Sequence, residues 1–232
     1  QLSGKTEFQN LQLNNPTGAT LQAGSRFDIF GEVALQTGTL TTGSGLLIFR
    51  STSDSQIGII DNFSAGYTGT ISGGIQAERY YHSPTTYDAH YMGSPVDAAN
   101  LSSFAAGGTT GYAIPTASCD ETQLQSGSPY GAVASMDESV GAGCAMKTWK
   151  FENTAAAAQT AKGYSVRKTG SGVITVSGNP NLNSSYALNS LNNSGWAINT
   201  SLQGRPMGPG WHMVANPFLA NLDISSTPAG FD

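Results

Sequence analysis

Charge is the first thing this chain lacks. Of its 232 residues only 11% are Asp, Glu, Lys or Arg, against roughly a quarter in an ordinary soluble domain. The ten basic residues are scattered and outnumbered by fifteen acids, for a net charge of −5. Nucleic-acid binding rests on clustered Lys and Arg, so that class is excluded. No segment approaches the ~20 consecutive apolar residues of a membrane helix, and no membrane insertion is expected. Stretches rich in Leu, Glu, Lys and Ala are missing too, which removes the usual material of long helices. The three histidines, His82, His90 and His212, belong to no zinc-protease or nucleophile-elbow motif. An enzyme is therefore not expected, and neither a cofactor nor a metal site is assigned. Asp120-Glu121 and Asp137-Glu138 lack the alternating ligands and glycine of a calcium loop and read as solvated acids.

Cysteine is scarce as well. Cys119 and Cys144 are the only two, with no His or Cys at zinc spacing around them. A disulfide closing the loop between them is favoured over two free thiols. It would place the chain in an oxidising compartment and contribute ~3 kcal/mol in the chain-entropy model. The chain opens on Gln1 without Met, as a mature protein does after loss of a signal peptide; a trimmed chain looks the same.

What fills the sequence instead is Gly, Ser, Thr and Asn, residues of turns and exposed strand faces. The expected fold class is all-β. From Phe8 to Ile59 apolar pairs recur: Leu11 and Leu13, Phe27 and Ile29, Val33 and Leu35, Leu46 and Ile48, Ile57 and Ile59. Between them stand Asn14-Asn15-Pro16, Gly24-Ser25, Gly38 and Gly43-Ser44-Gly45. Medium-sized aliphatics, with turns that lack the hairpin pairs Asn-Gly and Asp-Gly, favour a short β-helical or solenoid segment over residues 1–70. Such a segment needs a cap or a partner, because each coil buries its face only against its neighbours. Residues 71–232 read as an antiparallel β-sandwich with a long loop at 97–145. Its strands are expected at Ile71–Tyr81, with a bulge at Gly73-Gly74, then His90–Val96, Met146–Glu152, Gly163–Val166, Val173–Val176, Ser185–Leu191 and Trp196–Leu202. Ala155–Ala161 is the best helix candidate. Arg79 reads as a structural arginine satisfied by carbonyls or a carboxylate. The last strand alternates through Trp211, Met213 and Ala215 and must turn at Asn216-Pro217.

These pieces, in order, resemble large secreted surface proteins of the Bacteroidota. The carriers are Phe8–Asn15, Gly38–Thr42, Glu78-Arg79-Tyr80, Ser94-Pro95-Val96, Lys162–Val166 and Gly210–Asp223. The resemblance implies secretion by the type IX route, extracellular or cell-surface localisation, and an adhesive or structural role. It also implies further strands beyond the Asn-Pro-aromatic turn, where this chain stops. Trp211, Met213, Asn216, Pro217 and Phe218 thus mark an expected assembly edge, and self-association into a filament is one expectation. A cut chain, with neighbouring domains of a larger surface protein as partners, is the other. A second function class stays open: Tyr80, Tyr81, Tyr87, Tyr91, Tyr112 and Tyr130 are candidates for a glycan-stacking surface, which would make the protein a carbohydrate-binding module of a secreted polysaccharide-processing protein. In strands such residues are more often packing partners.

Overall fold

The computed structural model describes residues 2–62, 64–82, 89–105, 133–136, 149–152, 155–167, 170–183, 186 and 213–220. Among them strands dominate, in several sheets, and the one helix is a single turn, α1 (Ser102–Ala105). The protein is all-β. No helix among the described residues is long and apolar enough to cross a membrane.

The first eighty residues pass three times through the same three sheets. The first passage lays down β1 (Lys5–Phe8), β2 (Leu11–Asn14) and β3 (Ala19–Thr20). The second adds β4 (Arg26–Ile29), β5 (Glu32–Thr37) and β6 (Thr39–Thr41), and the third β7 (Leu46–Phe49), β8 (Ile59–Asp61) and β9 (Thr70–Ser72). Every equivalent pair is parallel: Phe8 aligns with Ile29 and Ile29 with Phe49, Leu11 with Val33, Leu40 with Ile71. Alternate residues of a strand share a face, so one set from each passage meets in the middle. Phe27, Ile29, Val33, Leu35, Leu40, Leu47, Phe49 and Ile60 are almost wholly buried there.

Two apolar pairs sit one residue off their expected places. In β7 it is Leu47 and Phe49 that join the central cluster, because Leu47 aligns with Phe27 and Phe49 with Ile29, while Ile48, also buried, aligns with Asp28 on the other face. Ile60 takes the inward place of the third passage, and Ile57 is exposed. Pattern alone does not set register where four apolar residues run together.

Glycines make the corners. Gly38 lies at φ +84°, and a Cβ there would stand 1.8 Å from the Asn15 carbonyl oxygen of the passage beneath; only glycine fits. At Gly73 the expected bulge is instead a corner with φ +103°. It separates β9 from β10 (Ile75–Tyr81), which lies in a different sheet.

From β10 onward the pairing turns antiparallel. β10 aligns in parallel with β7 on one side and antiparallel with β16 (Gly172–Pro180) on the other. With β12 (Val96–Asp97) beyond β16, the sheet order is β1-β4-β7-β10-β16-β12. A second sheet of order β11-β15-β13-β14 combines β11 (Ala89–Met92), β13 (Val133–Met136), β14 (Trp149–Phe151) and β15 (Tyr164–Arg167). β15 and β16 are consecutive strands but belong to different sheets. The region 97–145 contributes α1 and β13, whose Val133 and Ala134 are buried. Ala155–Ala161 is not helical: Leu101 N–H donates to Ala156 C=O and Ala158 N–H to Ala99 C=O, so tertiary pairing takes the groups a short uncapped helix would need. Ser185–Leu191 and Trp196–Leu202 lie outside the described residues, apart from Tyr186.

Candidate functional site: the strand edges

At the far end of the three passages two of the three sheets are met by later chain, while β9 has no strand on its outer edge among the described residues. β16 closes β10, and the chain near its end closes β8. Gly163 N–H donates to Met213 C=O (2.8 Å) and Ala215 N–H to Ala161 C=O (2.9 Å). This approach is close: a Cβ at Gly93 would stand 2.1 Å from the Ala215 Cβ. Asn216 then folds the corner around Pro217, its Oδ1 accepting from Phe218 N–H (3.0 Å) and its Nδ2 donating to Ala220 C=O (2.6 Å), a side-chain turn typical of Asn. Pro217 is buried, and Leu219 is 1% exposed. The Leu219 carbonyl accepts from Ile60 N–H (2.5 Å), which places the corner against β8. Of the expected assembly residues, Met213, Asn216, Pro217 and Phe218 thus meet the chain's own backbone. Trp211 lies outside the described residues, as do Cys119 and Cys144.

The near end differs. β1 and β2 stand at the outside of their sheets, and among the described residues no strand pairs with their outer edges; the outer side of β3 is met by Leu2, whose N–H donates to Thr20 C=O (3.0 Å) and whose C=O accepts from Gln22 N–H (2.8 Å). Leu2, Phe8, Leu11 and Ala19 pack on the core from this end but stay only partly buried. Among the described residues no further layer covers them. An unpaired edge of this kind offers its N–H and C=O groups to another strand. A stacked β-helical segment is expected to need a cap or a partner, and at this end that need falls on the edges of β1 and β2.

On the outward face of the first sheet runs a charged ladder. Arg26 binds Asp28 (Nε to Oδ2 2.9 Å), and Arg50 binds Glu78 (Nη1 to Oε1 2.6 Å) with Asp28 Oδ1 3.9 Å from its Nε. Glu78 also accepts from Ser51 N–H (3.3 Å). The Asp28 hydrogen bond and charge hold the Arg26 guanidinium above its ordinary range. Asp28 and Glu78 are buried, so the ladder clamps β4, β7 and β10 together. It presents no open coordination site, and among the described residues no cluster of His, Cys, Asp or Glu is arranged to hold a metal.

Arg79 faces the other way, sharing the face of Ala77 and Tyr81. It donates to the Glu78 carbonyl (2.8 Å) and has no carboxylate partner among the described residues. Desolvation brings its guanidinium down to about 10. His90 meets the Tyr81 ring edge-on, and His82 Nδ1 lies 3.3 Å from Ser171 Oγ. Among the described residues neither joins an acid in a catalytic arrangement; His212 lies outside them. Of the tyrosines proposed for stacking, Tyr91 is 72% exposed, Tyr81 is packed in the core and Tyr80 is partly buried; Tyr87, Tyr112 and Tyr130 lie outside the described residues. Comparison with protein-family models, with curated proteins and with solved structures finds no match in any of the three.

Proposed function

We propose that this chain is an extracellular structural or adhesive protein of a bacterial surface. Its architecture is a short β-helix set on an antiparallel β-sandwich, and it acts by associating with further copies of itself or with neighbouring domains. The observation that carries this reading is the asymmetry of the stacked strands. Two of the three parallel sheets are met by later chain, at β8 and β10, and at the other end β1 and β2 present edges that no described strand pairs with. Edge pairing gives affinity through main-chain hydrogen bonds and needs no pocket.

The motifs that resemble Bacteroidota surface proteins fall on the frame itself. Phe8–Asn15 spans the end of β1 and all of β2, Gly38–Thr42 contains β6, Glu78-Arg79-Tyr80 lies in β10, and Lys162–Val166 leads into β15. They are therefore fold-forming residues, as expected if they specify a scaffold rather than a reaction. Export by the type IX route and display on the cell follow from that resemblance. Protease treatment of intact and lysed source cells tests the reading. Digestion on intact cells is expected; a protein reached only after lysis overturns it.

A carbohydrate-binding role is favoured by one observation, the exposed ring of Tyr91 beside β15. Selective binding on a glycan array, lost in Tyr91→Ala, would support that role.

A further inference from the structure

The free edge of β1 has a register of its own. Arg26 N–H donates to Gly4 C=O (2.8 Å) and Phe30 N–H to Phe8 C=O (2.9 Å). The backbone groups of Gly4, Thr6 and Phe8 therefore turn toward β4. Successive residues of a strand turn their N–H and C=O to opposite sides, which aims those of Lys5 and Glu7 at the open side. Both side chains are exposed. They share the outward face, since Phe8 packs on the core.

An unpaired edge with opposite charges two residues apart is complementary to itself. In an antiparallel pair only residues whose polar groups face the partner exchange both hydrogen bonds. A two-fold pairing of β1 can accordingly bring Lys5 opposite the partner's Lys5, Glu7 opposite the partner's Glu7, or Lys5 opposite the partner's Glu7. The first two set like charges face to face, which destabilises a sheet. The third forms two opposite-charge pairs and places Thr6 on the axis.

The alternative of stacking end to end is obstructed. β16 pairs along β10 and the Leu219 carbonyl takes the Ile60 N–H of β8, so β1 and β2 of another copy would have to displace both to add there. A contact using the same surface on both subunits closes on itself instead. It would also cover Leu2, Phe8, Leu11 and Ala19. We infer that β1 pairs antiparallel with β1 of a second copy of this chain, Lys5 opposite the partner's Glu7, about a two-fold axis at Thr6. This deepens the self-association in the proposed function and rests on it.

Sedimentation equilibrium of the 232-residue protein tests the pairing. A dimer that weakens with added salt is expected. Lys5→Glu and Glu7→Lys each turn both attractive pairs repulsive, and each weakens association roughly tenfold or more. The double variant Lys5→Glu/Glu7→Lys recovers it, and so does an equimolar mixture of the two single variants. Circular dichroism serves as the folding control. A monomer at about 100 µM, a dimer indifferent to Lys5→Glu, or a mixture that fails to recover overturns the inference. So does a monomer with slow hydrogen exchange at the Lys5 and Glu7 amides, because its own chain then covers the edge. A surface-displayed monomer overturns the pairing alone, and a dimer confined to the cell interior overturns the surface reading alone.

Discussion

Replacing Arg79 with Met should make the protein more stable. Arg79 lies on the face of β10 that carries Ala77 and Tyr81 into the core, and its one hydrogen bond among the described residues goes to the Glu78 carbonyl. Desolvation lowers the guanidinium to about 10, which disfavours its charged form by ~3 kcal/mol, at about 1.4 kcal/mol per pKa unit. Arg79 keeps some exposure and Met forgoes the carbonyl bond, so the expected gain is about 1–2 kcal/mol. The pH dependence has a defined sign. Below about pH 10 the folded and unfolded chains are both protonated at this position and the penalty is complete. As pH rises through the folded value the unfolded chain, whose guanidinium keeps its higher ordinary value, binds more protons, and the penalty lifts. The stability gap between variant and wild type should therefore be widest near neutrality and narrow as pH rises through the folded value. Urea unfolding at about pH 7 and about pH 10.5 measures both quantities. A variant less stable than wild type by about 1 kcal/mol or more at neutral pH would refute the reasoning, since the cation would then have to be paired.

The same substitution at Arg50 should have the opposite outcome. Arg50→Met strips Glu78 of its cation and leaves Asp28 with Arg26 alone, for an expected loss of ~3 kcal/mol in urea unfolding. Gly38→Ala drives a Cβ into the Asn15 carbonyl at a positive φ and should cost ~3 kcal/mol, read as a lowered thermal midpoint. Leu219→Ala opens a cavity at a side chain 1% exposed. It should cost about 2–4 kcal/mol and speed hydrogen exchange at the Ile60 amide, whose acceptor is the Leu219 carbonyl.

Much of the first eighty residues was legible because spacing and turn chemistry agreed. Leu11 and Leu13 align with Val33 and Leu35, 22 residues on, and Phe8 aligns with Ile29, 21 residues on. The reading slipped at Leu46–Phe49, where four apolar residues in a row carry no period and only the neighbouring strand decides which two turn inward. It slipped at Gly73-Gly74 because paired glycines serve a bulge and a corner equally well. The alanine run at 155–161 has high helix propensity, but partners from residues 99–101 claim its backbone, and no local signal announces them. The charged ladder was invisible for a similar reason. Asp28, Arg50 and Glu78 are more than twenty residues apart in sequence and become neighbours only once the parallel register is set. Lys5 and Glu7 carried no motif at all, and their role follows from which way a strand's hydrogen-bonding groups face.

The central claim is that the open edge of β1 pairs with its own copy in one register. Thr6 sits on the axis of that register, as a pair that exchanges no hydrogen bonds and whose Cα atoms lie about 4.5 Å apart, within disulfide reach. Thr6→Cys should therefore form an intermolecular disulfide under mild oxidation, while Lys5→Cys, held opposite the partner's Glu7, should not. Covalent dimer from Thr6→Cys alone is the predicted result. No dimer from either, or equal dimer from both, would contradict the account.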